Sequence, residues 1–153
     1  MTEEYAKLLS KWQYQEPYNK YSFQDNKEEL EQIMNGLHYA VTDEETGKLV
    51  GFFCIGWSAQ VNCKRSQKIY HDESYSDLGL GLKPDLTDKG LGGDFTKKGV
   101  EFLRTLFPED GVRLTVMEDN ARAIKVYKKL GFKETASFKK KFFGREKYIV
   151  MCL

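Results

Sequence analysis

The stretch Leu80-Gly81-Leu82-Lys83-Pro84-Asp85-Leu86-Thr87-Asp88-Lys89-Gly90-Leu91-Gly92-Gly93 is the one around which the chain is organised. Leu78, Leu80 and Leu82 alternate with Asp77, Gly79 and Gly81, the period of two that marks a strand. Pro84 has no N–H to give to a ladder, so the strand is expected to stop just before it. Beyond the glycines, Phe95, Gly99, Phe102 or Leu103 and Leu106 recur at helical spacing. Gly90, Gly92 and Gly93 then fall at the first turn of a helix, where glycine costs roughly 1 kcal/mol relative to alanine. Free N–H groups and the positive end of the helix dipole make such a place a binder of phosphate.

Working outward, Tyr5, Leu8, Leu9 and Trp12 have the spacing of a short helix, and Tyr14 to Phe23, broken by Pro17, reads as a loop. Asp25 with Glu28 three residues on forms a capping box for a second helix, with Leu30, Ile33, Met34 and Leu37 as its buried stripe. Two strands follow, Tyr39 to Thr42 and Lys48 to Trp57. The second is apolar on both faces, as in the middle of a layered sheet. Ser58 to Ser76 is polar and aperiodic, either a loop that shapes a pocket or a plain connection. After the central strand, loop and helix, Val112, Leu114 and Val116 mark a further strand. Asn120 is placed to cap a helix with Ala123, Ile124, Tyr127 and Leu130 on its buried face, and Gly131 suits a left-handed C-terminal cap. Phe132 to Phe142 and Glu146 to Leu153 close the chain as two strands around Gly144. The predicted fold class is mixed α/β (α+β). It is one mostly antiparallel mixed sheet of six to seven strands with helices on both faces, in a single domain spanning residues 1–153.

The composition narrows the function classes. Apolar residues make up 41% and charged residues 31% of the chain, which excludes disorder. No apolar run reaches a membrane span, and the polar start Met1-Thr2-Glu3-Glu4 is no signal peptide. Cys54, Cys63 and Cys152 have no metal-ligand spacing and read as reduced thiols of a cytoplasmic protein, with no metal. A net charge of +1 gives no global attraction to nucleic acid or membrane. Charge is nevertheless uneven: residues 122–147 carry ten bases and two acids, either a solvated face or a field for a phosphorylated ligand or acidic partner.

The glycine loop lacks the Gly-Lys-Ser/Thr of a Walker loop and the Gly-x-Gly-x-x-Gly of a dinucleotide fold. Two motifs together instead resemble the GCN5-related N-acetyltransferase (GNAT) superfamily. Leu80 to Asp85 followed by Thr87-Asp88-Lys89-Gly90-Leu91-Gly92 is similar to that family's strand, proline turn and pyrophosphate loop, written Gln/Arg-x-x-Gly-x-Gly/Ala. Asn120-Ala121-Arg122-Ala123-Ile124-Lys125-Val126-Tyr127-Lys128-Lys129-Leu130-Gly131-Phe132 is similar to its Asn-x-x-Ala-x-x-x-Tyr-x-x-x-Gly-Phe helix. Thr87 departs from the pattern: it keeps a hydroxyl and a backbone N–H but loses the long donor, so the loop amides are expected to suffice, with a weaker grip on the cofactor.

The resemblance implies an acetyl-CoA-dependent N-acetyltransferase, with acetyl-CoA as co-substrate between two splayed strands, 78–82 and 112–117. Leu80, Gly81 and Leu82 would offer backbone to the pantetheine arm, and the Leu82 N–H would face the developing oxyanion, a contribution of about 2.7–4 kcal/mol. Thr87, Asp88, Lys89, Gly90, Gly92 and Gly93 would hold the pyrophosphate, and Asn120 and Ala123 would line the cofactor. Tyr127 would protonate the departing thiolate as a primary amine, small-molecule or peptide, attacks the thioester directly. The general base is left open among Asp77, His71, Asp72, Glu73 and Glu16, as is a homodimer. The alternatives are a non-catalytic acyl-CoA-binding or sensor domain on the same fold, and a nucleotide-binding module. Aromatics such as Trp12, Tyr14, Tyr18, Tyr21 and Trp57 are either pocket walls or core and loop anchors.

Overall fold

A computed structural model describes residues 1–64, 66–140 and 146–153. Among them run helices α1 (Glu3–Leu9), α2 (Lys27–Ile33), α3 (Gln67–Tyr70), α4 (Gly92–Leu106) and α5 (Ala121–Lys129). The strands are β1 (His38–Thr42), β2 (Leu49–Ile55), β3 (Tyr75–Leu82), β4 (Gly111–Met117), β5 (Lys133–Lys139) and β6 (Lys147–Cys152). They form one six-stranded sheet in the order β1-β2-β3-β4-β6-β5. Only β3 and β4 are parallel; the other four pairings are antiparallel. The expected mixed, mostly antiparallel sheet is therefore present, and no described helix is long and apolar enough to cross a membrane. The closing turn expected around Gly144 lies outside the described residues.

Helices cover both faces, as the two-sided apolar pattern of β2 requires. Phe53 and Ile55 join Leu78, Leu114, Val116, Ile149 and Met151 under α4 and α5. Phe52, on the opposite side of β2, joins Ala6, Leu9, Trp12 and Ile33 under α1 and α2. A third cluster, Phe138, Val150 and Cys152 with Ile69 and Tyr75, closes the second face beneath the α3 segment. Among the described residues, the polar connection after β2 supplies Val61, Cys63 and Ile69 to this packing and none of residues 58–64 and 66–74 to the wall of the large cavity described below.

Three local expectations are corrected. Asn26, not Asp25, caps α2: its Oδ1 accepts from the Glu29 N–H at 2.9 Å, while Asp25 accepts from the Ser10 hydroxyl at 3.1 Å. Because α1 ends at Leu9, Trp12 reaches the core from the chain beyond the helix, and Leu8 is exposed. Because α2 ends at Ile33, Met34 lies past the amphipathic stretch and is exposed too.

The parallel pairing of β3 with β4 is short, covering Tyr75↔Gly111, Ser76↔Val112 and Asp77↔Arg113. At that last pair the side chains form a buried ion pair, 5% and 3% exposed, with Arg113 Nε 2.6 Å from Asp77 Oδ1 and Nη2 2.9 Å from Oδ2. Arg113 Nη1 donates to the carbonyls of Ile69 and Asp72, and Gln60 donates to Asp77 Oδ2 at 2.7 Å. The guanidinium also lies over the rings of Tyr70 and Tyr75. Asp77→Asn should leave the Arg113 charge buried without its counterion and lower unfolding free energy by about 3–5 kcal/mol. Urea unfolding monitored by tryptophan fluorescence measures this loss.

Candidate functional site

Beyond Asp77 and Arg113 the two strands separate, while β3 stays paired with β2 through Gly51↔Leu82. Lys83 donates its N–H to the Val50 carbonyl on the β2 side at 2.8 Å, and Ile55 donates away from β3, to Leu37, at 3.0 Å. Backbone polar groups alternate in direction along a strand. The N–H groups of Leu80 and Leu82 therefore point toward β4, into the gap. The Leu82 carbonyl, on that same side, accepts from the Tyr14 hydroxyl at 2.8 Å. Gly81 is required here, because a Cβ would overlap the Phe52 ring packed on the strand.

A cavity of about 780 Å³ fills the gap. Its wall includes residues from the clusters on both faces of the sheet, so it passes through the splay. One arm is bounded by the loop 87–94 and the start of α5, the other by Tyr14, Tyr21, Phe23 and Phe52.

The glycine arm carries unpaired donors. The first backbone bond of α4 runs from the Phe95 N–H to the Leu91 carbonyl, so the N–H groups of Gly92, Gly93 and Asp94 precede the helical ladder. Leu91 supplies no side-chain cap. Left-handed φ angles at Asp88 (59°) and Gly90 (80°) turn the loop toward the helix. Thr87, Asp88, Gly90, Gly92 and Gly93 line the cavity, whereas Lys89 is exposed beside it and does not. Thr87 differs from expectation: its N–H and its hydroxyl both donate to the Pro84 carbonyl, at 3.1 and 2.8 Å, so neither is offered to a ligand.

A cation not singled out in the sequence stands where Thr87 falls short. Arg122, in the first turn of α5, lines the cavity, pairs with Asp88 at 2.9 Å and lies 3.8 Å from the Tyr18 ring centroid. Its only signal in the sequence was membership of the basic run. Lys125 and Lys129 line the same arm. Asn120 caps α5, its Oδ1 accepting from the Ala123 N–H at 3.2 Å, and both residues reach the cavity. Gly131 closes the helix at φ 93°.

Tyr127 is buried against Phe132 in the wall of the cavity. Burial raises its pKa above the ordinary tyrosine value, helped by nearby Tyr21. Burial likewise pushes Tyr14 up to about 12 against the opposing charge of Arg122. Tyr21 rises to about 12 for the same first reason, with Asn120 opposing. All three phenols are neutral donors at physiological pH. The Tyr21 hydroxyl is buried with no hydrogen bond among the described residues.

The structure does not bring the proposed bases to the cavity. Asp77 is held by Arg113, Asp72 accepts from Ser74, Glu16 accepts from Asn19, and neither His71 nor Glu73 reaches the wall. Of the suggested aromatics, Tyr14 and Tyr21 line the cavity, Trp12 is core, Tyr18 lies under Arg122 and Trp57 is exposed. No cluster of potential metal ligands exists among the described residues.

The sequence profile of the acetyltransferase (GNAT) family matches residues 4–132. Mycothiol acetyltransferase of Mycolicibacterium gilvum is 34% identical over 95 residues, 59% of this chain and 27% of that protein. The chain thus matches about a quarter of the length of that curated relative. Among solved structures, the ribosomal-protein-S18-alanine N-acetyltransferase of Escherichia coli is 26% identical with a TM-score of 0.53, covering 76% of this chain and 67% of that one. A chimera of spermidine N-acetyltransferase from Vibrio cholerae superposes with a TM-score of 0.65 at 18% identity, over 99% of this chain and 89% of that one, a likeness of fold.

The raised phenols have a consequence for stability. A folded pKa above the unfolded value favours the native state fully below pH 10, and that advantage is lost as pH climbs from about 10 to about 12. Denaturant unfolding at stepped alkaline pH should show this decline, and Tyr14→Phe should flatten part of it.

Proposed function

Because the chain belongs to the acetyltransferase (GNAT) family, we propose that it transfers the acetyl group of acetyl-CoA to a primary amine. The observation that carries this reading is the through-sheet cavity, with unpaired amides at one end and Tyr127 in its wall. Its donor set fits acetyl-CoA. The N–H groups of Gly92, Gly93 and Asp94, with Arg122, Lys125 and Lys129, suit the phosphates. The strand amides of Leu80 and Leu82 suit the amide-bearing pantetheine arm. Ala123, small and adjacent, leaves that arm room.

Bound acetyl-CoA supplies an activated thioester, whose C–S bond breaks as the amine nitrogen bonds to the carbonyl carbon. The Leu82 N–H is oriented to stabilise the charge that builds on the carbonyl oxygen. The Tyr14 hydroxyl on the Leu82 carbonyl anchors the adjoining peptide unit, between Leu82 and Lys83. Tyr127, whose phenol is neutral at physiological pH, donates its proton to the leaving sulfur. The aromatic arm admits the amine. No carboxylate or imidazole lines that arm among the described residues, so the ammonium proton passes to water.

Two outcomes are expected. Tyr127→Phe should lower kcat about 10²–10⁴-fold while acetyl-CoA still raises the melting temperature, as read by thiol release and thermal unfolding. Tight acetyl-CoA binding with no turnover in the unaltered protein would instead favour a sensor. Since no enzyme base is assigned, kcat/KM should rise about tenfold per pH unit up to the pKa of the amine, near 10.4 for a lysine-like group. A plateau beginning near neutral pH would reveal a base.

A further inference from the structure

The aromatic arm also restricts the acceptor, an inference that rests on the acetyl-transfer reading above. The ends of the cavity differ in chemistry. Of all the acids that line it, Asp88 and Asp94, both belong to the glycine arm, and Asp88 already pairs with Arg122. Residues 65 and 141–145 include no acid and no histidine, so every carboxylate of the chain is accounted for. The other arm presents Tyr14, Tyr21, Phe23 and Phe52. Phe52 and Phe23 meet edge to face with centroids 5.5 Å apart, and Tyr14 is fixed by its bond to Leu82.

Aromatic rings attract ammonium groups, so an aromatic mouth could in principle hold a second cation. Here no carboxylate lines the aromatic arm. Asp119, whose charge acts on Tyr21 from outside that arm, is already paired with Lys20, which lies 5.9 Å from the Tyr21 ring centroid. A polycationic substrate would therefore find no free carboxylate there. A single amine on an apolar body loses little on entry, and buries its body against four rings.

We propose that the acceptor is a primary monoamine borne on an aromatic or branched aliphatic body, seated among Tyr14, Tyr21, Phe23 and Phe52. Polyamines are disfavoured because the arm has no carboxylate and the nearby Asp119 is held by Lys20. The likeness of fold to a spermidine N-acetyltransferase therefore does not extend to the substrate.

The test compares 2-phenylethylamine with spermidine at saturating acetyl-CoA, following thiol release, with thermal unfolding in acetyl-CoA as a separate measure of cofactor binding. The expected kcat/KM is about tenfold or more higher for 2-phenylethylamine. Lys20→Glu, which releases Asp119 and adds a second carboxylate beside Tyr21, should shrink that ratio several-fold by improving spermidine, and should leave the acetyl-CoA stabilisation unchanged. Equal or better use of spermidine by the unaltered protein, or a ratio that Lys20→Glu does not move, overturns the proposal and leaves the transferase reading intact. Stabilisation by acetyl-CoA with no transfer to either amine overturns both.

Discussion

The buried pair of Arg113 and Asp77 sits at the fork where β3 and β4 part, and the site depends on that fork. A sheet normally pairs its backbone groups along the whole strand, because an unpaired buried N–H or C=O is unfavourable. Here the parallel ladder stops after three residue pairs. The guanidinium at that point makes four hydrogen bonds, two to Asp77 and one each to the carbonyls of Ile69 and Asp72, so it ties both strands to the α3 segment beneath them. Above it, one side of β3 is left without a strand. Tyr14 satisfies the Leu82 carbonyl, and the amides of Leu80 and Leu82 are free for a ligand.

Everything else converges on that opening. The glycine loop and the start of α4 bring unpaired amides to one end, and Asn120 sets α5 so that Arg122, Ala123 and Tyr127 face the same space. The segment between α1 and α2 crosses the opening, anchored by Tyr14 to β3, by Tyr18 to Arg122 and by Lys20 to Asp119. Desolvation raises the pKa of all three phenols above the ordinary tyrosine value. In the reaction proposed above, a neutral phenol can give a proton to the departing sulfur but cannot take one from the amine, whose proton goes to water.

Much of this could be read from the chain. Alternation of Leu78, Leu80 and Leu82, the stop at Pro84 and the helical spacing after Gly93 are local signals, and β3, the loop and α4 follow them. Asn120 and Gly131 were legible because caps are decided within one turn. The fork was not. Arg113 and Asp77 each look like the exposed alternate of a half-buried strand, and only their juxtaposition across two strands makes a buried pair. Asp25 and Asn26 are equally good caps by residue type, and Asp25 is engaged by Ser10, the residue just past the end of α1. The loss of both Thr87 donors to Pro84 depends on how the turn folds. Tyr14 and Tyr21 reach the cavity from an irregular loop, where no periodicity exists to point them inward.

Residue-resolved amide hydrogen exchange, with and without acetyl-CoA, addresses the central claim of an unpaired strand edge built to hold a ligand. The amides of Leu80 and Leu82 should exchange much faster than those of Gly79 and Gly81, which face β2, and should become protected when acetyl-CoA is added. Equal protection of all four amides without ligand, or no gain at Leu80 and Leu82 with it, would contradict the account.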